Sequence, residues 1–172
     1  MTGAVVLAAG AATRFGAPKQ RLLLADVLER VRSSSVDEIV VVLGAYDLET
    51  DARVVQCPDW EKGGGASARC GFAALGKDTE VAVIVLADGP DLSPAAIDRL
   101  LERWRHGAGE LLAASYGGVR GHPALLARAL WSRMPDEGAR ALPGVVLVPC
   151  DDLGAPGDVD FPGDLPPRFR AS

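Results

Sequence analysis

The residues best suited to chemistry form a glycine-rich segment near the start of the chain, LAAGAATRFGAPKQ at residues 7–20. Gly10 and Gly16 allow the backbone to approach a ligand closely, and consecutive backbone N–H groups can bind phosphate oxygens. Arg14 and Lys19 add positive charge. Because the spacing matches neither a Walker A loop nor the GxGxxG fingerprint, the segment predicts an anion site of another kind. A flexible loop with solvated charges is the alternative.

Carboxylates follow an apolar run at residues 81–86, in the order ADGPD. Asp88 comes at the carboxyl end of a predicted strand, where open α/β sheets bind ligands, and its oxygens suit Mg²⁺ that also contacts substrate phosphates. A turn aspartate that accepts backbone N–H bonds is the alternative. Asp91 is predicted to support the turn or the N-terminus of the next helix.

Apolar patterning predicts the elements that must position these side chains. Near-continuous apolar runs predict strands covered on both faces of a parallel sheet, at residues 4–9, 39–43, 81–86 and 145–148. Amphipathic patterns predict helices at residues 22–31, 66–75, 94–104 and 124–134, the third with Ser93 as N-cap and Pro94 at its first position. This alternation predicts an α/β fold, a three-layer α/β/α sandwich with a Rossmann-like, doubly wound, mostly parallel sheet.

Two further segments have no clear periodicity. Residues 116–123, YGGVRGHP, are predicted to connect two short strands or to form a site loop. The tail after Asp151 is rich in Gly, Pro and Asp and is expected to lie over the surface.

Length and composition exclude several classes of protein. The 172 residues predict a single domain, 1–172, and the longest apolar run is far shorter than the roughly 20 residues of a membrane span. A net charge of −5 and 5% aromatic residues argue against a polymeric nucleic acid as partner. No Lys or Arg precedes residues 4–9, so no secretory signal is expected and the predicted location is cytoplasmic.

The three cysteines, Cys57, Cys70 and Cys150, are odd in number and widely spaced. That pattern fits neither a disulfide framework nor a zinc site, so all three are predicted to be reduced thiols in or near the core.

The glycine-rich segment resembles L-A-A-G-x-x-x-R-F-G-x-x-K, the signature of nucleotidyltransferases that activate small metabolites, in particular the molybdenum cofactor cytidylyltransferase branch of the molybdopterin-dinucleotide enzymes. The resemblance implies a nucleotidyltransferase-type sandwich in which Arg14 and Lys19 bind the triphosphate as catalytic residues. It places the turn formed by Leu7, Ala8, Ala9 and Gly10 close to the nucleotide base.

Three more segments resemble that branch in the expected order. WEKGGGASARCG at residues 60–71 resembles W-x-x-G-x-x-x-S-x-R-x-G, which implies that Ser67 and Arg69 open a helix beside the base and ribose. Residues 116–123 resemble G-x-R-G-H-P, which implies an acceptor-binding role for His122, with a turn histidine bonded to backbone as the alternative. DEGAR at residues 136–140 resembles G-D-x-G-A-R, with Pro135 in place of the first Gly.

A second metal carboxylate is implied near the C-terminus. Residues 158–164 resemble D-x-D-T-P-x-D, which makes Asp160 the second Mg²⁺ ligand. Phe161 and Gly163 depart from that pattern, and an entirely solvated acidic tail is the alternative.

The function implied by the resemblance is Mg²⁺-dependent transfer of CMP from CTP to molybdopterin, with release of pyrophosphate and transient contact with a molybdoenzyme or its maturation factor. A phosphomonoester is already a dianion at pH 7, so no general base is needed. The alternatives are a guanylyltransferase that uses GTP, a sugar-phosphate nucleotidyltransferase, and a non-catalytic nucleotide-binding module.

The segment after Lys19 is shorter than in the family and Gly89 stands where Gln is common, which predicts altered acceptor binding or lost activity.

Overall fold

The computed structural model of the protein describes residues 1–170 and contains one seven-stranded sheet flanked by helices. The strands are β1 (Thr2–Leu7), β2 (Glu38–Leu43), β3 (Arg53–Gln56), β4 (Val81–Leu86), β5 (Leu111–Tyr116), β6 (Val119–Ala127) and β7 (Val146–Pro149). The helices are α1 (Gln20–Arg32), α2 (Gly64–Ala74) and α3 (Pro94–Arg105). The strand order is β3-β2-β1-β4-β6-β5-β7, and β6 alone runs antiparallel to its two neighbours.

The helices cover both faces of the sheet, which confirms the predicted three-layer α/β/α sandwich. On one face α1 and α3 contribute Leu28 and Leu100 to a core cluster that includes Val6 and Val83. On the other face Phe72 of α2 packs among the buried side chains of a second cluster. Because the inner strands are covered on both faces, they are apolar along their whole length.

Most predicted elements are confirmed with small shifts of their ends. The four predicted strands correspond to β1, β2, β4 and β7, and the first three predicted helices to α1, α2 and α3. Ser93 occupies the N-cap position of α3 and Pro94 the first helical position, but the Ser93 side chain makes no capping hydrogen bond.

The helix predicted at residues 124–134 is wrong. Its first part belongs to β6, which pairs with β4 through Ala82 and Leu126, and its second part is a 3₁₀ turn, Arg128–Arg133. β6 lies between β4 and β5, so Leu125 and Leu126 are both fully buried on opposite faces of the sheet. A short apolar run buried on both faces has no period that separates strand from helix.

The prediction that all three cysteines are reduced is also wrong, because Cys57 and Cys70 form a disulfide. Cys57 follows β3 and Cys70 lies on α2, which returns beside β2 and β3 and brings the two Cα atoms to 5.8 Å. That distance lies in the usual range for a disulfide. Cys150 is a free, buried thiol, as predicted.

The tail after Asp151 lies mostly at the surface, as expected, but two of its side chains are buried. Val159 and Leu165 pack with Leu23 of α1, and Phe15 and Phe169 pack against them. This cluster fastens the C-terminal segment onto α1 and the glycine-rich loop. None of the helices within residues 1–170 combines the length and apolar character needed to cross a bilayer.

Candidate active site

A cavity of about 390 Å³ opens at the carboxyl ends of β1 and β4. Leu7 and Leu86 are paired at the ends of these strands, and the Ala87 N–H donates to the Leu7 carbonyl at 3.0 Å. The glycine-rich loop and Asp88 therefore begin side by side. The walls of this first cavity come from the loop, from β4 and from the start of α2: Leu7, Ala9, Gly10, Ala12, Thr13, Arg14, Lys19, Gln20, Trp60, Glu61, Gly63, Gly64, Ser67, Leu86, Ala87, Asp88 and Asp160.

The glycine-rich loop is held by side chains that bond its carbonyl groups. Gln20 Nε2 donates to the Gly10 carbonyl at 3.0 Å, and the Tyr46 hydroxyl donates to the Ala11 carbonyl at 3.0 Å. Gly16, with φ +79°, adopts a left-handed conformation that glycine tolerates without strain. These contacts fix the shape of the loop between β1 and α1.

Lys19 is the central cation of the site. It occupies the N-cap position of α1 and is buried, with 7% of its surface exposed. Its Nζ donates to Asp88 Oδ2 at 3.0 Å and to the Val159 carbonyl, and it lies 3.6 Å from Asp160 Oδ1. A buried ammonium group is stable only with such partners.

Asp160 reaches the site because the C-terminal segment crosses over the loop. Its carboxylate accepts a hydrogen bond from Arg14 NH1 at 2.8 Å, in addition to its contact with Lys19. Asp164 Oδ2 accepts from the backbone N–H groups of Asp160 and Phe161, at 3.1 and 2.9 Å. Asp164 thus shapes the turn that presents Asp160 and does not enter the first cavity.

Asp88 and Asp160 provide a donor set that fits a hard divalent cation. They approach the same ammonium nitrogen from two segments of the chain, so their oxygens share one small volume. Mg²⁺ is usually held by one or two carboxylates together with substrate phosphates. In the described part of the chain, no group of three or more His, Cys, Asp or Glu side chains forms a complete metal cage. Burial raises the pKa of nearby Asp158, and the charges of Asp88 and Asp160 raise it further.

The start of α2 forms the opposite wall. Ser67 lines the first cavity, whereas Arg69 does not; its guanidinium pairs with the Asp136 carboxylate and donates to the Met134 carbonyl. The backbone of residues 135–138 lies directly against this helix start, since a Cβ on Gly65 would meet the Pro135 carbonyl oxygen at 1.6 Å. Arg69 therefore joins α2 to residues 134–136.

The beginning of β6 lies at the same edge of the sheet, because β6 runs antiparallel to β4. There His122 lines a second cavity, of about 140 Å³, and a third, of about 350 Å³. Burial, with the charge of Arg140, lowers the pKa of His122 to about 4, so the ring is neutral at pH 7. Leu7, Gly64 and Leu86 line both the first and the second cavity, which therefore adjoin.

Comparison with known families identifies the chain. Residues 4–144 match the family model of the MobA-like NTP transferase domain, which spans the loop, Lys19, Asp88 and His122. The chain belongs to this family. It is accordingly a nucleotidyltransferase, and the resemblance noted in the sequence is confirmed at that level. No curated protein matches the NTP transferase chain in sequence.

Solved structures share the fold of this NTP transferase over nearly its whole length. The crystal structure of Rv0371c from Mycobacterium tuberculosis H37Rv is 27% identical, with a TM-score of 0.76 over 95% of this chain and 94% of that one. The same protein in complex with manganese is 26% identical, with a TM-score of 0.73 over 95% of each chain. Molybdopterin-guanine dinucleotide biosynthesis protein A from Archaeoglobus fulgidus shares the fold at 16% identity, with a TM-score of 0.68 over 94% of each chain.

The structure brings together most of the residues predicted for the NTP transferase site. Those lining the first cavity are Leu7, Ala9, Gly10, Arg14, Lys19, Ser67, Asp88 and Asp160. Ala8 is buried in the core cluster beside them, Arg69 is directed to Asp136, and His122 lies in the adjoining cavities.

The sequence analysis leaves several residues of these cavities without a role, and Gln20, Arg120 and Arg140 are the most informative of them. The sequence pattern predicts a first helix that starts at residue 22 and so leaves Gln20 in the loop, yet Gln20 begins α1 and its side chain bonds the Gly10 carbonyl. Arg120 and Arg140 line the second cavity and belong to the segments RGHP and DEGAR, to which no arginine role was assigned. Their place within two matched motifs was the available signal.

Proposed function

We propose that this NTP transferase transfers CMP from CTP to the terminal phosphate of molybdopterin, or of molybdenum-loaded molybdopterin, with release of pyrophosphate. The observation that carries the proposal is the contact of one buried lysine with two carboxylates in the first cavity: Lys19 with Asp88 at 3.0 Å and with Asp160 at 3.6 Å. A triphosphate and its metal ion require this combination of a cation and hard oxygen donors.

Lys19 and Arg14 are the proposed triphosphate ligands. Both cations pair with carboxylates of the site, through Lys19–Asp88 and Arg14–Asp160 contacts. When the triphosphate enters, its oxygens offer these cations a second set of anionic partners. Because lysine acts as a compact point charge, Lys19 is suited to the negative charge that grows on the leaving pyrophosphate.

Asp88 and Asp160 are the proposed ligands of Mg²⁺. When bound there, the ion would neutralise charge on the phosphate oxygens of the nucleotide. The carboxylates themselves orient Lys19, since Asp88 accepts a hydrogen bond from its ammonium group and Asp160 lies close to it.

The reaction needs no covalent or general-base step from the protein. An oxygen of the acceptor phosphate forms a bond to the α-phosphorus of CTP, the bond from that phosphorus to the bridging oxygen breaks, and pyrophosphate leaves with the electron pair. The acceptor is already a dianion near pH 7, so the chain's task is positioning and charge stabilisation. Neutral His122 is the proposed hydrogen-bonding residue toward the acceptor.

The base preference is proposed from the turn at the first cavity, where Leu7, Ala9 and Gly10 line the wall. The sequence Leu7-Ala8-Ala9-Gly10 resembles the cytidylyltransferase branch, whereas Leu-Ala-Gly-Gly is common in the guanylyltransferase branch. The further parts of the proposal are a cytoplasmic location and a transient contact with a molybdoenzyme or its maturation factor.

The test combines the purified protein, Mg²⁺ and molybdopterin with CTP, GTP, ATP or UTP in turn, and measures pyrophosphate. We expect release with CTP, equimolar with the dinucleotide formed, and little release without acceptor. Greater release with GTP would make the protein a guanylyltransferase. If pyrophosphate is released only when a sugar phosphate is supplied in place of molybdopterin, the sugar phosphate is the acceptor. No release with any triphosphate would favour a non-catalytic nucleotide-binding module.

A further inference from the structure

Two arginines stand at the second cavity, on the side away from Lys19. Arg120 comes from the start of β6, and Arg140 comes from the short 3₁₀ turn Ala139–Ala141. Both line the second cavity, and Arg140 also lines the third. Two separate segments of the chain thus converge to place two guanidinium groups beside the nucleotide-binding cavity.

Neither guanidinium forms an ion pair with a carboxylate in the described part of the chain, although Glu137 also lines the second cavity. Arg120 NH2 donates to the Ala139 carbonyl at 2.9 Å, and Arg140 NH2 donates to the Arg120 carbonyl at 3.0 Å. These bonds fix the side chains through backbone oxygens, which carry no full charge. No ion pair to a carboxylate involves either arginine within residues 1–170. A guanidinium has five N–H donors, so most of them stay available to a ligand.

Partial burial makes the positive charge of Arg120 costly without an anion, whereas Arg140 is exposed. Burial, and the neighbouring charge of Arg140, lower the pKa of Arg120. Burial and both arginines likewise disfavour a charged His122. The Nδ1 atom of His122 is buried without a hydrogen-bond partner in the described residues. The two like charges and the unpartnered ring nitrogen would all gain from an anion with several acceptor oxygens.

We propose that Arg120 and Arg140 form the subsite for the phosphomonoester of the acceptor, with His122 as a neutral hydrogen-bonding partner. The inference rests on the proposed function and specifies the acceptor end of the same reaction. Two guanidinium groups match the double charge of a phosphomonoester, and each can donate hydrogen bonds to its oxygens. They hold the acceptor on one side of the α-phosphorus while Lys19 and Arg14 hold the triphosphate on the other.

The third cavity defines what the phosphomonoester is attached to. Because Arg140 lines both cavities, a phosphate bound there leaves the rest of the acceptor in the larger space of about 350 Å³. Its walls are largely apolar, through Val85, Leu92, Pro123 and Pro156, with Tyr116 and the carboxylate of Asp158 as polar groups besides His122 and Arg140. The proposed acceptor class is therefore a phosphomonoester carried by a bulky ring system, and a small, fully hydroxylated sugar phosphate fills this space poorly.

The test compares Arg120→Gln and Arg140→Gln with Arg103→Gln, an exposed arginine of α3 outside these cavities. Loss of a charged hydrogen-bond partner typically costs about 1.5–3 kcal/mol, so KM for molybdopterin should rise about 10- to 100-fold in each cavity variant. The melting-temperature increase caused by CTP with Mg²⁺ should stay at the wild-type value. Arg120→Lys and Arg140→Lys should recover part of the loss, which separates charge from a structural role.

A second measurement is independent of turnover. Calorimetric titration with inorganic phosphate, in the presence of CTP and Mg²⁺, should detect binding to the wild type and to Arg103→Gln but weaker binding to Arg140→Gln. An unchanged KM and unchanged phosphate binding in both cavity variants would overturn the subsite. If phosphate binding is weakened in the cavity variants but the wild-type protein releases no pyrophosphate, the subsite stands and the proposed reaction is overturned. A raised KM for CTP alone would assign the arginines to the nucleotide.

Discussion

Charged side chains line both the first and the second cavity, but within residues 1–170 their ion pairs form only in the first. In the first, Lys19 and Arg14 contact Asp88 and Asp160. In the second, Arg120 and Arg140 bond only to backbone carbonyls within the described residues. Ion pairs stabilise the cations of the first cavity, and ligand and metal can replace these partners. The arginines of the second cavity have no such partners and gain most of their charge neutralisation from a bound anion.

The largest expected effect comes from removing Asp88, the carboxylate that contacts Lys19 and is a proposed metal ligand. Asp88→Ala should abolish nearly all pyrophosphate release, because Asp88 is the closest carboxylate to Lys19 and lies at the end of β4. The fold should persist, since the core clusters lie elsewhere. Circular dichroism and steady-state kinetics check this, with Asp164→Ala as the control that should retain much more activity. A wild-type rate in Asp88→Ala would remove the residue from the site.

Lys19→Ala should reduce kcat by about 10²- to 10³-fold, the usual cost of losing one preorganised donor to developing charge. Lys62 and Lys77 are exposed lysines, so Lys62→Ala and Lys77→Ala should turn over normally. Lys19→Arg should recover only part of the rate, because the planar guanidinium group of arginine does not replace the compact ammonium group of lysine in a buried position. Equal rates in all three alanine variants would remove Lys19 from the catalytic machinery and make the loop structural.

The connection between the two cavities depends on close backbone contact at the start of α2. Gly65→Ala should lower the free energy of unfolding by about 1–3 kcal/mol, the usual cost of overpacking, because the new Cβ would meet the Pro135 carbonyl oxygen. Gly64→Ala is the matched control, since a Cβ there has open space around it. Urea denaturation of both variants measures the difference. Equal stability would mean that residues 135–138 are not tightly packed on α2.

The smallest effect concerns the neutral His122 of the second cavity. Its pKa is lowered to about 4 in the folded protein from 6.5, so the unfolded chain binds the extra proton first as the pH falls. The stability that neutral His122 provides is complete above pH 6.5 and is lost progressively between pH 6.5 and 4. Between pH 7 and 5 the wild type should lose about 2 kcal/mol more stability than His122→Gln. Identical pH profiles would show that His122 is not buried as a neutral ring.

The two halves of the sheet also differ in how well the sequence predicts them. β1, β2 and β4 are rich in valine and isoleucine, and their local pattern identifies them as strands. β5 and the buried part of β6 consist largely of leucine and alanine, which favour helices locally. Their strand conformation comes from pairing: β5 and β6 form a hairpin with each other, and β6 also pairs with β4 and β5 with β7, which are more distant in the sequence.

The candidate site shows the same limit. Lys19 and Asp88 lie next to a glycine-rich loop and a strand end, so their places follow from neighbouring residues. The contact of Lys19 with the Val159 carbonyl joins residues 140 positions apart. It depends on the C-terminal segment, whose Val159 and Leu165 pack against Leu23 of α1. The disulfide of Cys57 and Cys70 likewise depends on the return of α2 beside β3.

The most direct test of the proposed site is the electron paramagnetic resonance of Mn²⁺ titrated into the protein with and without CTP. Two carboxylates need phosphate oxygens to complete the coordination of a divalent ion. CTP alone also binds Mn²⁺, so the reference is the same titration of CTP without protein, and the signal of free Mn²⁺ should fall well below that reference when the protein is added. Asp88→Asn should weaken this ternary complex by about tenfold or more, because affinity follows the number of charged ligands. Undiminished Mn²⁺ binding to Asp88→Asn and to the Asp88→Asn/Asp160→Asn double variant in the presence of CTP would contradict the assignment.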